Sequence, residues 1–178
     1  SSFQRQGGFF SAMFRKMFGG ENFFLGKYEH PDGGKITFAP SIPGHVEHRQ
    51  LANNSLNIMA GCFLACTPGV NIKAKFGGLK ALFSGEGAFL LEASGSGDLF
   101  FNSFGGIVKK EINGEFIVDT GHVVAFTPSL DYSITGMGSF KSTMLSGEGL
   151  VMKFRGNGTL YLQTRNVSSI ASWLTPRL

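Results

Sequence analysis

LKALFSGEGAFLLEASGSGDLFFNSFG, at residues 79–105, returns in altered form as FKSTMLSGEGLVMKFRGNGTLYLQTR at residues 140–165. Each version begins with an apolar and basic segment, passes through Ser-Gly-Glu-Gly, continues as a hydrophobic run and reaches a Gly-x-Gly pair. A weaker third version, FRKMFGGENFFLGKYEHPDGGKITFAP, occupies residues 14–40. Self-similarity of this kind predicts a fold built from internal repeats.

The composition favours one all-β domain covering residues 1–178, with three pseudo-repeats at about 10–40, 77–105 and 138–166. The 26 glycines are about twice the average usage, which suits many short strands separated by turns. Only 16% of the residues are charged, against about 25% in an average soluble domain. Because so few charges are available to cover a monomer, we expect another subunit or a partner to cover part of the apolar surface.

Glycine and asparagine pairs predict where the chain turns. Asn113-Gly114 lies between two runs of high β propensity, as a type I′ hairpin requires. Gly95-Ser96-Gly97 predicts a tight turn, residues 32–34 predict a hairpin between strands NFFLGKYEHP and KITFAP, and Asn53-Asn54 separates two short strands. Asp119-Thr120-Gly121 predicts a turn into a strand HVVAF.

Two short segments have helical spacing. In residues 9–18, FFSAMFRKMF, the apolar residues recur on one helix face, and we interpret it as a helical turn facing the core. The alternative is a cationic amphipathic anchor on a membrane surface. Near the C-terminus, VSSIASWL predicts a short closing helix in which Trp173 is a packing anchor.

The residues that bear on metal, redox and nucleotide chemistry are few. Cys62 and Cys66 would lie roughly 13 Å apart in one strand, which exceeds the reach of a disulfide, so both are predicted to be small core residues. His45 and His48 would point to opposite faces of a strand, and His122 has no companion ligand on its strand. The Gly-x-Gly pairs have no third glycine or following helix to hold a pyrophosphate. We therefore expect no metal, no nucleotide and no other cofactor.

At the level of whole segments the chain resembles the altered-inheritance-of-mitochondria-24 family. The resemblance is carried by residues 76–107, by VDTGHVVAF at 118–126 and by GEGLVMKFRGNGTLYLQTRN at 147–166. It implies a β-sandwich or short double-stranded β-helix similar to the tryptophan RNA-binding attenuation protein fold, built from internal repeats and homo-oligomeric. Members of the family carry strands before the position that matches Ser1, so the chain is expected to lack those strands. The resemblance transfers no catalytic residue.

The three repeats would place three glutamates on related corners of the domain, each near a lysine. These candidate structural or ligand residues are Glu21, Glu86 and Glu148, with Lys16, Lys80 and Lys141. We interpret each glutamate as bonding backbone donors in its turn or pairing with its lysine, and a shared ligand site is the alternative.

These observations favour a non-enzymatic oligomeric scaffold or binding protein, a trimer or larger, in the cytoplasm or in the mitochondrion of a eukaryote. Nucleic-acid binding by analogy with the fold is one alternative, although no strand interleaves Arg or Lys with exposed aromatic residues. Peripheral membrane contact through residues 9–18 is the other. No transmembrane segment is predicted, because no stretch approaches about 18 uninterrupted apolar residues.

Overall fold

The computed structural model describes residues 2–4, 25–29, 31–75, 90–136, 150–166 and 169–170. The chain divides into two compact units, Ser1–Thr37 and Phe38–Leu178. In the first unit, β1 (Ser2–Gln4) pairs antiparallel with β2 (Leu25–Lys27). The hairpin predicted across residues 32–34 is wrong, because residues 35–40 do not form a strand. The predicted helical segment 9–18 lies outside the described residues, and of the predicted closing helix only residues 169–170 are described, as helix.

The second unit is an antiparallel sheet of eight strands. Its strands are β3 (Val46–Met59), β4 (Phe63–Cys66), β5 (Val70–Lys75), β6 (Leu90–Asn102), β7 (Ile107–Asp119), β8 (Val123–Phe126), β9 (Leu130–Gly136) and β10 (Leu150–Gln163). Across the sheet they are arranged in the order β4-β6-β3-β8-β10-β7, while β5 also pairs with β6 and β9 also pairs with β10.

The sheet consists of two halves with equivalent strand pairing. In the first half, β3 pairs with β6 along its whole length, and β4 and β5 pair with the other side of β6. In the second half, β7 pairs with β10, and β8 and β9 pair with the other side of β10. The halves are joined side by side by a short pairing of β3 with β8.

The long strands continue through the positions where turns were predicted. Gly95 and Gly97 lie inside β6, and Asn113-Gly114 lies inside β7, so the predicted turn and the predicted type I′ hairpin are both wrong. Asn53, with φ of 56°, forms a bulge inside β3 instead of separating two strands. The positive φ values of Asn53, Gly95 and Gly114 bend their strands without reversing them. Gly156 has a positive φ inside β10 in the same way.

Close backbone approach explains why glycine is needed in β6. The turn Thr67-Pro68-Gly69 packs on the middle of β6, where the amide of Ser96 donates to the carbonyl oxygen of Gly69 at 3.1 Å. A Cβ on Gly95 would lie 2.2 Å from that same oxygen. The glycine therefore provides room for a neighbouring turn, which its own stretch of sequence does not reveal.

The second half repeats this arrangement with the turn Thr127-Pro128-Ser129. The amide of Thr127 donates to the carbonyl of Thr159 at 3.0 Å, and the Thr159 amide donates back to the Thr127 hydroxyl at 3.0 Å. A Cβ on Gly158 would lie 2.3 Å from that hydroxyl. Both halves thus fix a Thr-Pro turn against a glycine-containing strand.

Short 3-10 turns connect the first two strands of each half, at Ala60–Cys62 and Thr120–His122. The Asp119 carboxylate caps the second turn by accepting from the Gly121 amide at 2.7 Å, so the turn predicted at 119–121 is confirmed. The strand predicted as HVVAF is present but begins one residue later, at Val123, because His122 belongs to the 3-10 turn. The segment NIMAGCFLACT is not one strand, because the 3-10 turn interrupts it. Cys62 is buried, as predicted, whereas Cys66 is only half-buried, so the prediction of a core residue is wrong for Cys66; both cysteines are free.

The core of the second half is centred on Phe126 of β8. Its ring contacts Tyr132 and Phe154 edge to face, with centroids 5.2 Å and 5.0 Å away. The other members of the buried cluster are Leu90, Ile112, Val123, Leu130, Met152, Phe154 and Leu160. Leu90 comes from the first half, so the core continues across the junction between the halves.

The predicted all-β class is therefore confirmed, with short helical turns between strands. The similarity to the tryptophan RNA-binding attenuation protein fold stays a prediction, as does the single domain of three repeats. Each of the three predicted repeat segments extends into residues that the structure does not describe.

Candidate interaction surface

The six residues predicted to mark the repeat corners lie outside the described part of the chain. They are Glu21, Glu86, Glu148, Lys16, Lys80 and Lys141. Their structural role and the alternative of a shared ligand site both stay predictions. The proposed membrane segment, residues 9–18, lies outside the described residues as well.

The histidines considered from the sequence form separate local contacts. The ring of His48 is 2.8 Å from the Asp98 carboxylate across the β3–β6 pair and stacks on Phe100 at a centroid distance of 4.9 Å. The ring of His45, which directly precedes β3, lies 3.3 Å from the carboxylate of Glu47 within β3. Within the described ranges, no three histidine, cysteine or acidic residues converge as a metal site would require.

His122 has a structural role at the end of β10. Its Nδ1 lies 2.8 Å from the carbonyl oxygen of Gln163. The Gln163 side chain accepts from the Phe104 amide at 2.9 Å and donates to the Gly121 carbonyl at 2.7 Å. These bonds fasten the short linker between the halves to the 3-10 turn, in agreement with the structural interpretation of His122.

The most distinctive surface is the outer edge of β7. Within the described residues, β7 pairs only with β10 and has no strand on its other side. Such an edge leaves backbone donors and acceptors available to another strand. Its length of 13 residues makes it a large surface for strand addition.

Charged side chains occupy one face of the β7–β10 pair. The Glu115 carboxylate contacts the Lys153 ammonium at 2.7 Å and the Arg155 guanidinium at 2.9 Å, and its pKa is lowered first by the hydrogen bond from Lys153 and then by that from Arg155. Near the start of the strand, Lys109 lies 3.4 Å from Glu111. Charges on an edge strand discourage indiscriminate pairing.

The last part of β7 lacks this protection, because Phe116, Ile117 and Val118 are uncharged and apolar. Ile117 is 54% exposed, which makes it the most exposed large hydrophobic residue among those described in the second unit. Phe116 and Val118 are half-buried. The edge is therefore charged over much of its length and apolar near its end.

The opposite edge of the sheet is β4. All four of its residues are half-buried, whereas all four residues of the equivalent strand β8 are buried. Burial raises the pKa of the Cys66 thiol on β4. It also raises the pKa of the more deeply buried Cys62, which directly precedes β4, to about 12. Both thiols are thus poorly ionised near neutral pH.

Sequence reasoning missed both edges, although a signal for the equivalence of the halves is present. The segments CTPGV at 66–70 and FTPSL at 126–130 have the same Thr-Pro turn at corresponding places. Aligning them would have extended each repeat backwards to include β3 and β7.

Among the described residues, no helix has the length and hydrophobicity that crossing a membrane requires.

The fold and these edges define an all-β protein whose second unit is an eight-stranded sheet, with outer strands that no other described strand covers. Residues 1–165 match the family described as Mitochondrial biogenesis AIM24, and the chain belongs to that family. The family resemblance found in the sequence is therefore confirmed.

Two relatives come from Streptococcus pyogenes. An uncharacterized protein is 34% identical over 166 residues, which cover 92% of this chain and 67% of the relative. A protein solved by X-ray crystallography in a structural genomics programme is 34% identical, with a TM-score of 0.68 over 76% of this chain. The match spans 61% of that solved chain.

Proposed function

We propose that this protein is a non-enzymatic scaffold that self-associates through the edges of its sheet, forming a homo-oligomer of three or more subunits. The observation that carries the proposal is the contrast between β4 and β8. β4, at the edge of the sheet, is half-buried, whereas the equivalent strand β8, which has β3 beside it, is fully buried.

Two further features support self-association. Charged residues make up only 16% of the chain, which leaves much apolar surface to be covered. Apolar side chains are exposed on β7 itself, at Val108 and Ile117. A strand edge with exposed apolar residues is a surface that binds other strands.

The proposal extends to the cellular setting. The family is described by its connection with mitochondrial biogenesis, and relatives occur in a bacterium. This distribution supports action in the cytoplasm of a bacterium, or in the mitochondrion if the protein is eukaryotic.

Native mass spectrometry over a wide range of protein concentration tests the scaffold proposal. We expect oligomers of three or more subunits that dissociate on dilution. Hydrogen exchange on the same samples should show that amides of β7 become protected as the oligomer forms, because strand pairing engages them. A protein that stays monomeric at every concentration would refute the scaffold proposal.

A further inference from the structure

Arg49, near the start of β3, is a half-buried cation without a carboxylate partner. The half-buried lysine and arginine residues among those described are Arg49, Lys75 and Lys153. Lys75 lies 3.1 Å from the carboxylate of Glu92, and Lys153 lies 2.7 Å from that of Glu115. In the part of the chain that the structure describes, no carboxylate lies within 4.0 Å of the Arg49 guanidinium. Its positive charge is therefore locally unbalanced, which is unfavourable where water is partly excluded.

The hydroxyl of Tyr161 holds the guanidinium of Arg49 in place. Nη1 of Arg49 donates to the Tyr161 oxygen at 2.8 Å, which connects β3 to β10. Tyr161 is only 4% exposed, and its ring packs edge to face against Phe101 with centroids 5.3 Å apart. Because a closely packed ring has few alternative positions, the guanidinium is anchored to a rigid group.

The polar groups that meet at this point are all available as donors. A guanidinium carries five N–H groups and no acceptor, and the bond to Tyr161 uses one of them. Since the Tyr161 oxygen accepts that bond, its own O–H is left to donate, and it has no acceptor among the described residues. A group that carries two acceptor oxygens would therefore satisfy both side chains.

The neighbouring charges favour a ligand with a single negative charge. Lys109 lies directly opposite Tyr161 in the β7–β10 pair, but its ammonium is 3.4 Å from the Glu111 carboxylate. Glu47 lies two residues before Arg49 on the same face of β3, and its carboxylate contacts a histidine instead. The charge of Arg49 is thus the one left to balance, and the two carboxylates would repel a second negative charge.

We propose that Arg49 and Tyr161 bind the carboxylate group of a small organic acid. One carboxylate oxygen would accept from the remaining N–H groups of Arg49, and the other would accept from the hydroxyl of Tyr161. A carboxylate has one negative charge and two acceptor oxygens, so it matches the site in both charge and hydrogen bonding. This binding site goes beyond the scaffold proposal, because it depends on neither outer edge of the sheet.

Arg155 provides a matched control within the same protein. It is exposed, and its Nε donates to the Glu115 carboxylate at 2.9 Å. Its charge is therefore already balanced by an acidic side chain. A carboxylate in solution should act on Arg49 and leave Arg155 unaffected.

Titration with sodium acetate, followed by nuclear magnetic resonance, tests the proposal. The Nε–H signals of isotope-labelled arginine side chains report on each guanidinium separately. With sodium chloride keeping the ionic strength constant, we expect the Arg49 signal to shift and saturate at millimolar acetate while the Arg155 signal stays in place. Equal shifts of the two signals, or an Arg49 shift that does not saturate, would overturn the site.

Substitutions separate the two members of the site. Arg49→Met should abolish saturable acetate binding, followed by the backbone amide signals around residue 49, and Arg155→Met should leave binding unchanged. Tyr161→Phe removes one hydrogen bond and should weaken binding about three- to tenfold. An Arg49→Met variant that binds acetate as tightly as the parent would contradict the proposal. Thermal unfolding in chloride checks that the variants fold, and the Arg49 signal of the parent provides the test even where one does not.

Inorganic phosphate tests the charge of the ligand. At the same ionic strength it should bind more weakly than acetate, because the carboxylates of Glu47 and Glu111 repel its second charge. Tighter binding of phosphate would overturn the assignment to a carboxylate. None of these measurements reports on the number of subunits, so the scaffold proposal stands or fails separately.

Discussion

β4 and β8 occupy the same place in the two halves of the sheet, yet their burial differs. Both follow a 3-10 turn and precede a Thr-Pro turn, and both are short and apolar, FLAC and VVAF. β8 lies between β3 and β10 and is buried throughout, while β4 pairs with β6 and is half-buried. The neighbouring strands, more than the strand's own composition, therefore decide how much of it is buried.

The largest effect is expected when the last residue of β4 and the last residue of β8 are each replaced with alanine. Phe126→Ala should lower the free energy of unfolding by about 3–5 kcal/mol, because a large ring leaves the core cluster. Cys66→Ala, at the equivalent position on β4, should cost about 1 kcal/mol or less in the dilute protein. Urea denaturation of both variants gives the two values. Similar losses would show that the edge strand is as well packed as the covered one.

A second test compares glycines in a covered strand and an edge strand. Gly95 of β6 has φ of +117° and would bring a Cβ to 2.2 Å from a backbone oxygen, whereas Gly114 of β7 has φ of +107° with nothing within 4 Å. Gly95→Ala should cost about 3 kcal/mol, from strain and displacement of the Thr-Pro turn. Gly114→Ala should cost about 1 kcal/mol, from strain alone. If urea denaturation shows that the two substitutions lower the free energy of unfolding equally, the packed turn does not explain why residue 95 is a glycine.

A third test concerns the hydrogen bond that crosses between the halves. Arg49 of β3 donates from Nη1 to the hydroxyl of Tyr161 of β10 at 2.8 Å. Tyr161→Phe should cost about 1–2 kcal/mol, because it leaves a partly buried guanidinium donor without that partner. The same substitution should cost almost nothing in an Arg49→Met background. A double-mutant cycle without coupling energy would mean that this bond does not hold the halves together.

The smallest expected effect concerns the charged face of the edge strand. The pKa of Glu115 is lowered from its ordinary value of 4.5, chiefly by Lys153 and then by Arg155. Its contribution to stability is therefore present above that ordinary pKa and is lost as the pH falls through the lower pKa of the folded state. Glu115→Gln should lower the melting temperature slightly near neutral pH and not at all in strong acid. An unchanged difference across that range would contradict the ion-pair explanation.

Much of the architecture could be predicted from local sequence signals. Abundant glycine and short apolar runs indicated an all-β fold, and the capping carboxylate of Asp119 marked a turn that the structure contains. These signals succeed because the physical cause lies within a few residues. The same reasoning failed at Asn113-Gly114 and Gly95, where local preference indicates a turn and long-range pairing holds a continuous strand.

The candidate surface could not be predicted in the same way. Whether Ile117 is exposed depends on whether another strand lies beside β7, and that information is spread over the whole topology. The residues chosen from the repeats, such as Glu86, lie in segments outside the described part of the chain. The repeated Thr-Pro turn was the one local signal that would have led to the outer strands.

The bulge at Asn53 affects any comparison of the two halves by alignment. β3 holds one residue more than β7, and Asn53 is that residue, since Ala52 lies opposite Ser96 and Asn54 opposite Gly95. An alignment without a gap at Asn53 would match residues beyond it one place out of phase, exchanging inward and outward side chains. Comparison of the two halves therefore requires a one-residue insertion inside a strand, where alignments ordinarily place none.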